Sequence, residues 1–385
     1  MLRPALAAVL ALAFALPAPA QNADARTAGA RGGAVLDSLD AFAAAFAAEH
    51  ALPSVVVAVV RDGRRQTAAA GAVDAAGTAP TDRTRYEVGS VTKAVTGLAL
   101  AEMARRGEVA LTTPVGDLLP DSVAVPTSGV TPMALVDLAT HTSGLPRLPP
   151  TLLLTADPDD PYAAYSEADL YTFLGLYELP RAPGATYEYS NLGAGLLGLA
   201  LTRRAAAEGG AAGYEVLVRE RVLGPLGMDR TFVTVPDSLR AAPAVGAFGQ
   251  PVPHWTWTDA TVGMGGLYST ADDLLALVEA TIAPPDALPA PLRAALVDAA
   301  RPLRRTPGQM RVGLGWHVIP DLREGAGVVW HNGGTGGGSS FVGLDREAGV
   351  GVVVLTNRGG AANQEATRFG LGVLRRLVDA APPAE

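Results

Sequence analysis

The chain contains no cysteine. That excludes a disulfide framework and a lipid-modified cysteine behind an export signal. Lysine is nearly as scarce. Lysine and arginine together number 30, and Lys93 is the only lysine among them. Aromatic residues make up 5 % and charged residues 18 % of the chain. No apolar run is long enough for a membrane span, and the one near the start, Ala5 to Leu16, is too short. Basic residues form no stripe. The arginine pairs (Arg64-Arg65, Arg105-Arg106, Arg203-Arg204, Arg304-Arg305, Arg375-Arg376) are scattered through a chain of net charge −8. Such a surface is a poor nucleic-acid binder. Two catalytic signatures are missing as well. Without Gly-x-Ser-x-Gly there is no nucleophile elbow of the α/β-hydrolase kind. Without His-Glu-x-x-His, and with five histidines spread widely, no zinc site is expected.

What remains is a globular composition, 49 % hydrophobic over 385 residues. It suffices for one large domain or two smaller ones. Heavy use of alanine and glycine points to a compositional bias of the genome. A drift toward arginine would account for the lysines that are missing. It does not account for the one that stays.

Residues 1–20 read as a secretory signal. Arg3 supplies a positive start, Ala5 to Leu16 the apolar stretch, and Ala18-Pro19-Ala20 a small-residue cleavage site. Removing them leaves a mature charge of about −9. The expectation is a bacterial periplasmic or secreted protein, cleaved near Ala20, with no stable membrane insertion. Residues 21–33 read as a loose, disordered leader.

The domain is expected over residues 34–380. Leu36 to Glu49 has helical spacing. Ser54 to Val60 is a β-branched run, Arg61-Asp62-Gly63 a turn, and Gln66 to Val73 a partner strand. Ser90 to Arg106 reads as a helix stopped by Gly107, Leu192 to Ala207 as a second, and Thr270 to Ala280 as a third with Ser269 or Thr270 as its cap. Strand character returns in Gly313 to Ile319, Gly327 to Trp330, Ser339 to Leu344 and Val350 to Thr356. Glu365 to Val378 closes the chain as a helix. Sheet material thus lies at both ends (about 34–88 and 310–380) around a mostly helical insertion (about 89–309). The two ends should meet in one sheet, an α+β arrangement.

Ser90 and Lys93 lie three residues apart, so on a helix they share a face. Free N–H groups in a first helical turn favour developing negative charge. A serine hydroxyl becomes nucleophilic when something takes its proton. Burial and nearby positive charge can make a lysine do this, whereas arginine stays protonated. That gives a reason for keeping the one lysine. Ser-x-x-Lys alone is a weak motif, but two later stretches add to it. Tyr187-Glu188-Tyr189-Ser190-Asn191 contains Tyr-x-Asn before a helix. Tyr189 could relay protons, and Asn191 could hold a substrate amide. The stretch from Trp330 to Gly338 is mostly glycine. Substrate could approach its backbone closely, and the Gly334 N–H could face an oxyanion.

Together these stretches resemble the serine β-lactamase and penicillin-binding-protein superfamily, in its class C-like branch. That branch also holds D,D-carboxypeptidases, D-aminopeptidases and esterases, and its second motif is Tyr-x-Asn. Leu138 to Pro146 and Gly263 to Leu274 match the family's habits too. The resemblance covers about residues 35–380. It implies a β-lactamase/transpeptidase-like fold and acyl transfer on a small ester, peptide or β-lactam substrate, without cofactor or metal. It implies Ser90 as the acylated nucleophile, Lys93 and Tyr189 as the general-base pair, and Asn191 as the substrate-orienting amide. The N–H groups of Ser90 and Gly334 would form the oxyanion hole. His331-Asn332-Gly333 stands where β-lactamases proper have Lys-Thr-Gly. A neutral His331 supplies less positive charge. This weakens the case for a β-lactamase and favours an esterase or peptidase, with a D,D-carboxypeptidase or β-lactamase proper as the alternative. A non-catalytic penicillin-binding or sensing module is the alternative from another class.

Some signals compete. Gly193-Ala194-Gly195-Leu196-Leu197-Gly198 fits a dinucleotide fingerprint but follows no apolar strand, so its glycines are read as helix packing. His141 is read as a structural loop histidine rather than a triad member. Trp255, Trp257 and Tyr268 either line a cleft or pack.

Overall fold

The computed structural model describes residues 37–379, apart from 211–212, 237–238, 240 and 321–326. The expected signal, leader and domain limits, with Leu36, lie outside the described residues. Helix α1 (Leu39–Glu49) turns Leu39, Ala43 and Phe46 inward. Strands β1 (Ser54–Arg61) and β2 (Arg64–Gly71) follow as a hairpin. Its two loop residues, Asp62 and Gly63, have φ of 51° and 70°. Such mirror-image turns match the twist of the strands, and Asp-Gly adopts them at low cost. Five of the eight residues of β1 are valine, and both of its faces are buried. Val55, Val57 and Val59 enter one core, while Val56, Ala58 and Val60 enter the other. β2 is an edge strand and mostly solvent-facing.

The chain then leaves this sheet. β3 (Tyr86–Glu87) leads into a 3-10 turn over Gly89–Val91 and then α2 (Thr92–Arg106). Gly107 ends α2 in the left-handed region, at φ 77°. Short helices α3 (Leu135–Ala139) and α4 (Pro150–Thr155) precede α5 (Glu167–Leu176) and α6 (Asn191–Ala207). After α7 (Tyr214–Val218) and α8 (Val262–Gly265), β4 (Tyr268–Ser269) pairs with β3. Helix α9 (Ala271–Ile282) is capped by Thr270, whose hydroxyl accepts the Asp273 N–H. Helix α10 (Ala290–Ala299) completes this part.

The remaining strands are β5 (Arg304–Arg305), β6 (Arg311–Val312), β7 (His317–Ile319), β8 (Val328–Gly334), β9 (Ser339–Asp345) and β10 (Val350–Thr356), followed by α11 (Ala362–Asp379). The main sheet has eight strands in the order β2-β1-β10-β9-β8-β7-β6-β5. Every pair in it is antiparallel. Val55 of β1 lies opposite Thr356 of β10, so the two ends of the chain do meet in one sheet. α1 and α11 cover one face and the helical part covers the other.

Several boundaries differ from expectation. The run expected as one strand over Gly313 to Ile319 is extended only at His317–Ile319, after a separate short strand at Arg311–Val312. Ser90 sits in the 3-10 turn before α2 rather than inside an α-helix. Strand pairing begins at Arg304, before the expected 310, and the small β3–β4 sheet lies within the helical part. β8 continues past Trp330 to Gly334, because pairing with β9 overrides the poor strand propensity of its glycines. The fingerprint-like glycines are packing surfaces. A Cβ on Gly198 would lie 2.9 Å from Gly263 Cα, and one on Gly195 only 2.4 Å from the Ala260 carbonyl.

Candidate active site

Ser90 and Lys93 start the site. Gly89 has φ 49°, and a Cβ there would lie 2.7 Å from the Gly334 nitrogen. Only glycine lets this turn reach β8 so closely. The turn continues into α2 and sets Lys93 one turn beyond Ser90. Lys93 Nζ lies 2.9 Å from Ser90 Oγ and 2.6 Å from the Met264 carbonyl oxygen. The lysine is 2 % exposed. Burial holds its pKa well below the ordinary lysine value, and the charge of Arg147 pushes the same way. A neutral amine can donate one N–H to Met264 and keep its lone pair for the Ser90 hydroxyl.

Tyr189 faces the same pair. Its phenol is hydrogen-bonded to Ser90, and Lys93 Nζ lies 5.1 Å from its ring centre. Burial raises the Tyr189 pKa, against smaller opposing effects of the Ser90 bond and Arg147. The phenol is therefore protonated. Its O–H can donate to Ser90 Oγ while the Ser90 O–H donates to Lys93.

The loop carrying Tyr189 is fixed from both sides. Ser190 caps α6, accepting the Gly193 N–H at 2.8 Å and donating to the Pro146 carbonyl at 2.7 Å. The Ser190 N–H donates to His141 Nδ1 at 3.2 Å, and the Glu188 N–H to the His141 carbonyl at 2.8 Å. The rings of His141 and Tyr189 are 4.4 Å apart. His141 thus holds the loop, and its Nδ1 lone pair is already engaged. This fits a structural role. Asn191 opens α6, its N–H donating to the Arg147 carbonyl at 3.0 Å. Its Oδ1 is buried and has no hydrogen-bond partner among the described residues.

The third stretch forms the opposite wall. β7 pairs with β8 only as far as His317 opposite Trp330. His331 to Gly334 run on beyond β7, leaving one strand edge free of that partner. Side chains alternate along it. His331 faces the site and is 1 % exposed. Its Nδ1 lies 2.6 Å from the Asn332 carbonyl oxygen. A carbonyl can only accept, so Nδ1 carries the proton. Nε2 is then a bare acceptor, buried and without a partner among the described residues. Burial, then His317 and Lys93, hold the His331 pKa well below the usual histidine value. His331 is therefore neutral. Asn332 faces away, donating to Asn363 Oδ1 at 3.0 Å and Thr367 Oγ1 at 2.9 Å on α11. Asn363 also donates to the Gly333 carbonyl. A Cβ on Gly333 would lie 1.9 Å from the Val88 carbonyl oxygen and 2.8 Å from the Ser90 nitrogen. The backbone of β8 is thus brought against the Ser90 turn.

Sequence reading missed three contributors. His317 stacks on His331 with ring centres 4.8 Å apart, and its pKa falls to about 4, chiefly through burial. Arg147 lies over the Tyr189 ring at 5.2 Å. Glu87 is buried under the glycine loop, where it accepts from Thr335 Oγ1 at 2.8 Å and the Trp255 N–H at 3.2 Å. None of these gives a local signal. Only His317 stood in a segment already named, as part of an expected strand. Trp257 stacks on Tyr162 at 4.8 Å, and Cβ atoms on Gly265 and Gly336 would meet Trp257 and Trp255 at 2.7 and 2.8 Å. Both tryptophans therefore pack against the site's glycines. Among the described residues, no group of His, Asp and Glu is arranged to hold a metal ion. No helix among them is long and apolar enough to cross a membrane.

The family model described as Beta-lactamase matches residues 39–374. Esterase EstB of Burkholderia gladioli is 32 % identical over 317 residues, covering 71 % of this chain and 77 % of that protein. The D-alanyl-D-alanine-carboxypeptidase/endopeptidase AmpH of Escherichia coli K12 is 28 % identical over 281 residues, 70 % of each chain. Among solved structures, a class C beta-lactamase superposes with a TM-score of 0.77 at 19 % identity, covering 94 % of this chain and 100 % of the other. The D-alanine carboxypeptidase AmpC of Burkholderia cenocepacia gives 0.74 at 23 % identity, with 89 % and 99 % covered. The structural likenesses establish the fold, and the match over residues 39–374 places this chain in the beta-lactamase family.

Proposed function

We propose that the protein is an exported serine hydrolase that works through an acyl-enzyme on ester or amide substrates. The observation that carries this reading is the buried contact of 2.9 Å between Ser90 Oγ and Lys93 Nζ. A buried lysine kept neutral, beside a hydroxyl and one turn along the same helix start, is an activated nucleophile. Ser90 Oγ attacks the substrate carbonyl carbon as its proton passes to Lys93. The N–H groups of Ser90 and Gly334 hold the oxyanion. As the intermediate collapses, the bond to the leaving group breaks. Tyr189 gives its proton to the departing oxygen or nitrogen and is reprotonated from the Lys93 ammonium. Water then gives a proton to Lys93 and attacks the acyl carbon, the bond to Ser90 Oγ breaks, and Lys93 returns the proton to Ser90 as the acid leaves. Asn191 Oδ1 is free to accept from a substrate amide.

An ester or peptide reading is favoured over a β-lactamase proper because the third motif offers no cation. His331 is neutral and presents an acceptor where an ammonium would donate. Similarity to EstB and AmpH is in keeping with either substrate class. The pattern of residues 1–20 supports export.

The test is hydrolysis of a short-chain nitrophenyl ester, a chromogenic cephalosporin and a D-Ala-D-Ala peptide, with Ser90→Ala alongside. Ester or peptide turnover lost in the variant is the expected result. Turnover that survives Ser90→Ala contradicts the mechanism. A cephalosporin preferred over both other donors contradicts the substrate class.

A further inference from the structure

The charges around the site do not balance. Lys93, His141, His317 and His331 are all buried, and desolvation favours the neutral form of each. Arg147 differs, because a guanidinium stays protonated. It is half-buried, lies 5.2 Å from the centre of the Tyr189 ring, and acts on Lys93, Tyr189 and His141 alike. Among the described residues, no carboxylate lies within ion-pair distance of it. A chain of net charge −8 thus keeps an uncompensated positive charge at its candidate nucleophile.

Its placement is fixed rather than casual. The Arg147 carbonyl accepts the N–H groups of Asn191 and Leu192 at 3.0 and 3.2 Å, and the adjoining Pro146 carbonyl accepts from Ser190. The arginine therefore travels with the Tyr189–Asn191 loop. An arginine held beside a buried site without a counter-ion is stabilised when an anion arrives, and its planar fork suits a carboxylate.

We propose that Arg147 is the anion-docking residue of this site, and that its preferred acyl donors carry a carboxylate within reach of the scissile carbonyl. The inference rests on the acyl-transfer reading above. It supplies from the Leu145-Pro146-Arg147 loop the charge that His331 lacks. Arg147 then determines specificity, while Ser90 and Lys93 carry out the chemistry.

The test compares three donors of equal chain length: the nitrophenyl monoester of adipic acid, a carboxy-nitrophenyl hexanoate and the neutral nitrophenyl hexanoate. They place the anion on the acyl side, on the leaving group, or nowhere. Wild-type protein should prefer one anionic donor over the neutral one by about tenfold or more in kcat/KM, as expected for a charge-assisted contact. Arg147→Gln should erase that preference to within about twofold, and Arg147→Lys should keep part of it. A merely structural role would lower all three donors together and leave the ratio intact, which would overturn the proposal. A second readout does not need turnover. In the Ser90→Ala protein, titration calorimetry should find the monoanilide of adipic acid bound more tightly than hexananilide, and Arg147→Gln should remove the difference. Equal binding of the two anilides would overturn the docking role even in a chain that hydrolyses nothing. Failure of Ser90-dependent turnover alone would instead overturn the acyl-transfer reading.

Discussion

The wall that carries Ser90 is built locally, whereas the wall that carries His331 is assembled over long range. Ser90 and Lys93 share one helix start, and their contact follows from spacing alone. His331 acquires its setting from four separate places. β7 brings His317 against it, α11 anchors its neighbour Asn332, β9 extends its strand, and the Ser90 turn presses on Gly333. The local wall decides which atom can react. The long-range wall decides the protonation around it, because burial on that side holds the histidines neutral. Desolvation favours the neutral form of Lys93 and of the histidines facing it, which lessens the mutual repulsion that charged forms would suffer.

Breaking the local wall should have the largest effect. Lys93→Arg puts a group that stays protonated where the base must lose its proton, so kcat/KM on any accepted donor should fall about a thousandfold or more, with folding retained by circular dichroism. Activity within about threefold of wild type would mean that Lys93 is not the base. Next comes the seam between the walls. Gly333→Ala places a methyl 1.9 Å from the Val88 carbonyl oxygen. β8 must then back away from the Ser90 turn, and kcat should fall about a hundredfold. An unchanged kcat would show that the edge of β8 takes no part.

The long-range wall can be probed by acid. His317 titrates near 4 in the fold chiefly because of burial, and His141 and His331 are also lowered by burial. An unfolded histidine titrates near 6.5. Between these values the unfolded chain binds protons that the folded chain refuses. Stability from these groups is therefore complete above about pH 6.5 and lost as pH falls toward 4. His317 alone contributes about 3 kcal/mol to that loss. Urea unfolding at several pH values measures it, and a flat profile over this window would contradict neutral histidines. The smallest expected effect is on the loop between the walls. His141→Ala leaves the Ser190 N–H without its acceptor, at about 1–3 kcal/mol of stability, and should lower kcat about tenfold through Tyr189. A large effect on stability with none on kcat would leave His141 a purely structural residue.

This division also explains what could be read in advance. The β1–β2 hairpin, the closing helix and the meeting of both chain ends in one sheet follow from a valine run, an Asp-Gly turn and helical spacing, all local patterns. Ser90, Lys93, Tyr189 and Asn191 stood out because their types and spacings are tied to chemistry. The reach of β8 did not, since glycine disfavours strands until a partner is present. His317 and Arg147 carried no mark either. One is a histidine in a short strand and the other an arginine after a proline. Their importance comes from pairing register and from a ring stacked beneath a guanidinium, neither of which a spacing rule expresses.

The most direct test of the central claim is to trap the acyl group. Protein quenched during turnover of a slow acyl donor should gain the mass of one acyl group, mapped by peptide sequencing to Ser90 and absent from Ser90→Ala. An acyl group on another residue, or turnover with no covalent adduct under any quench, would contradict the account.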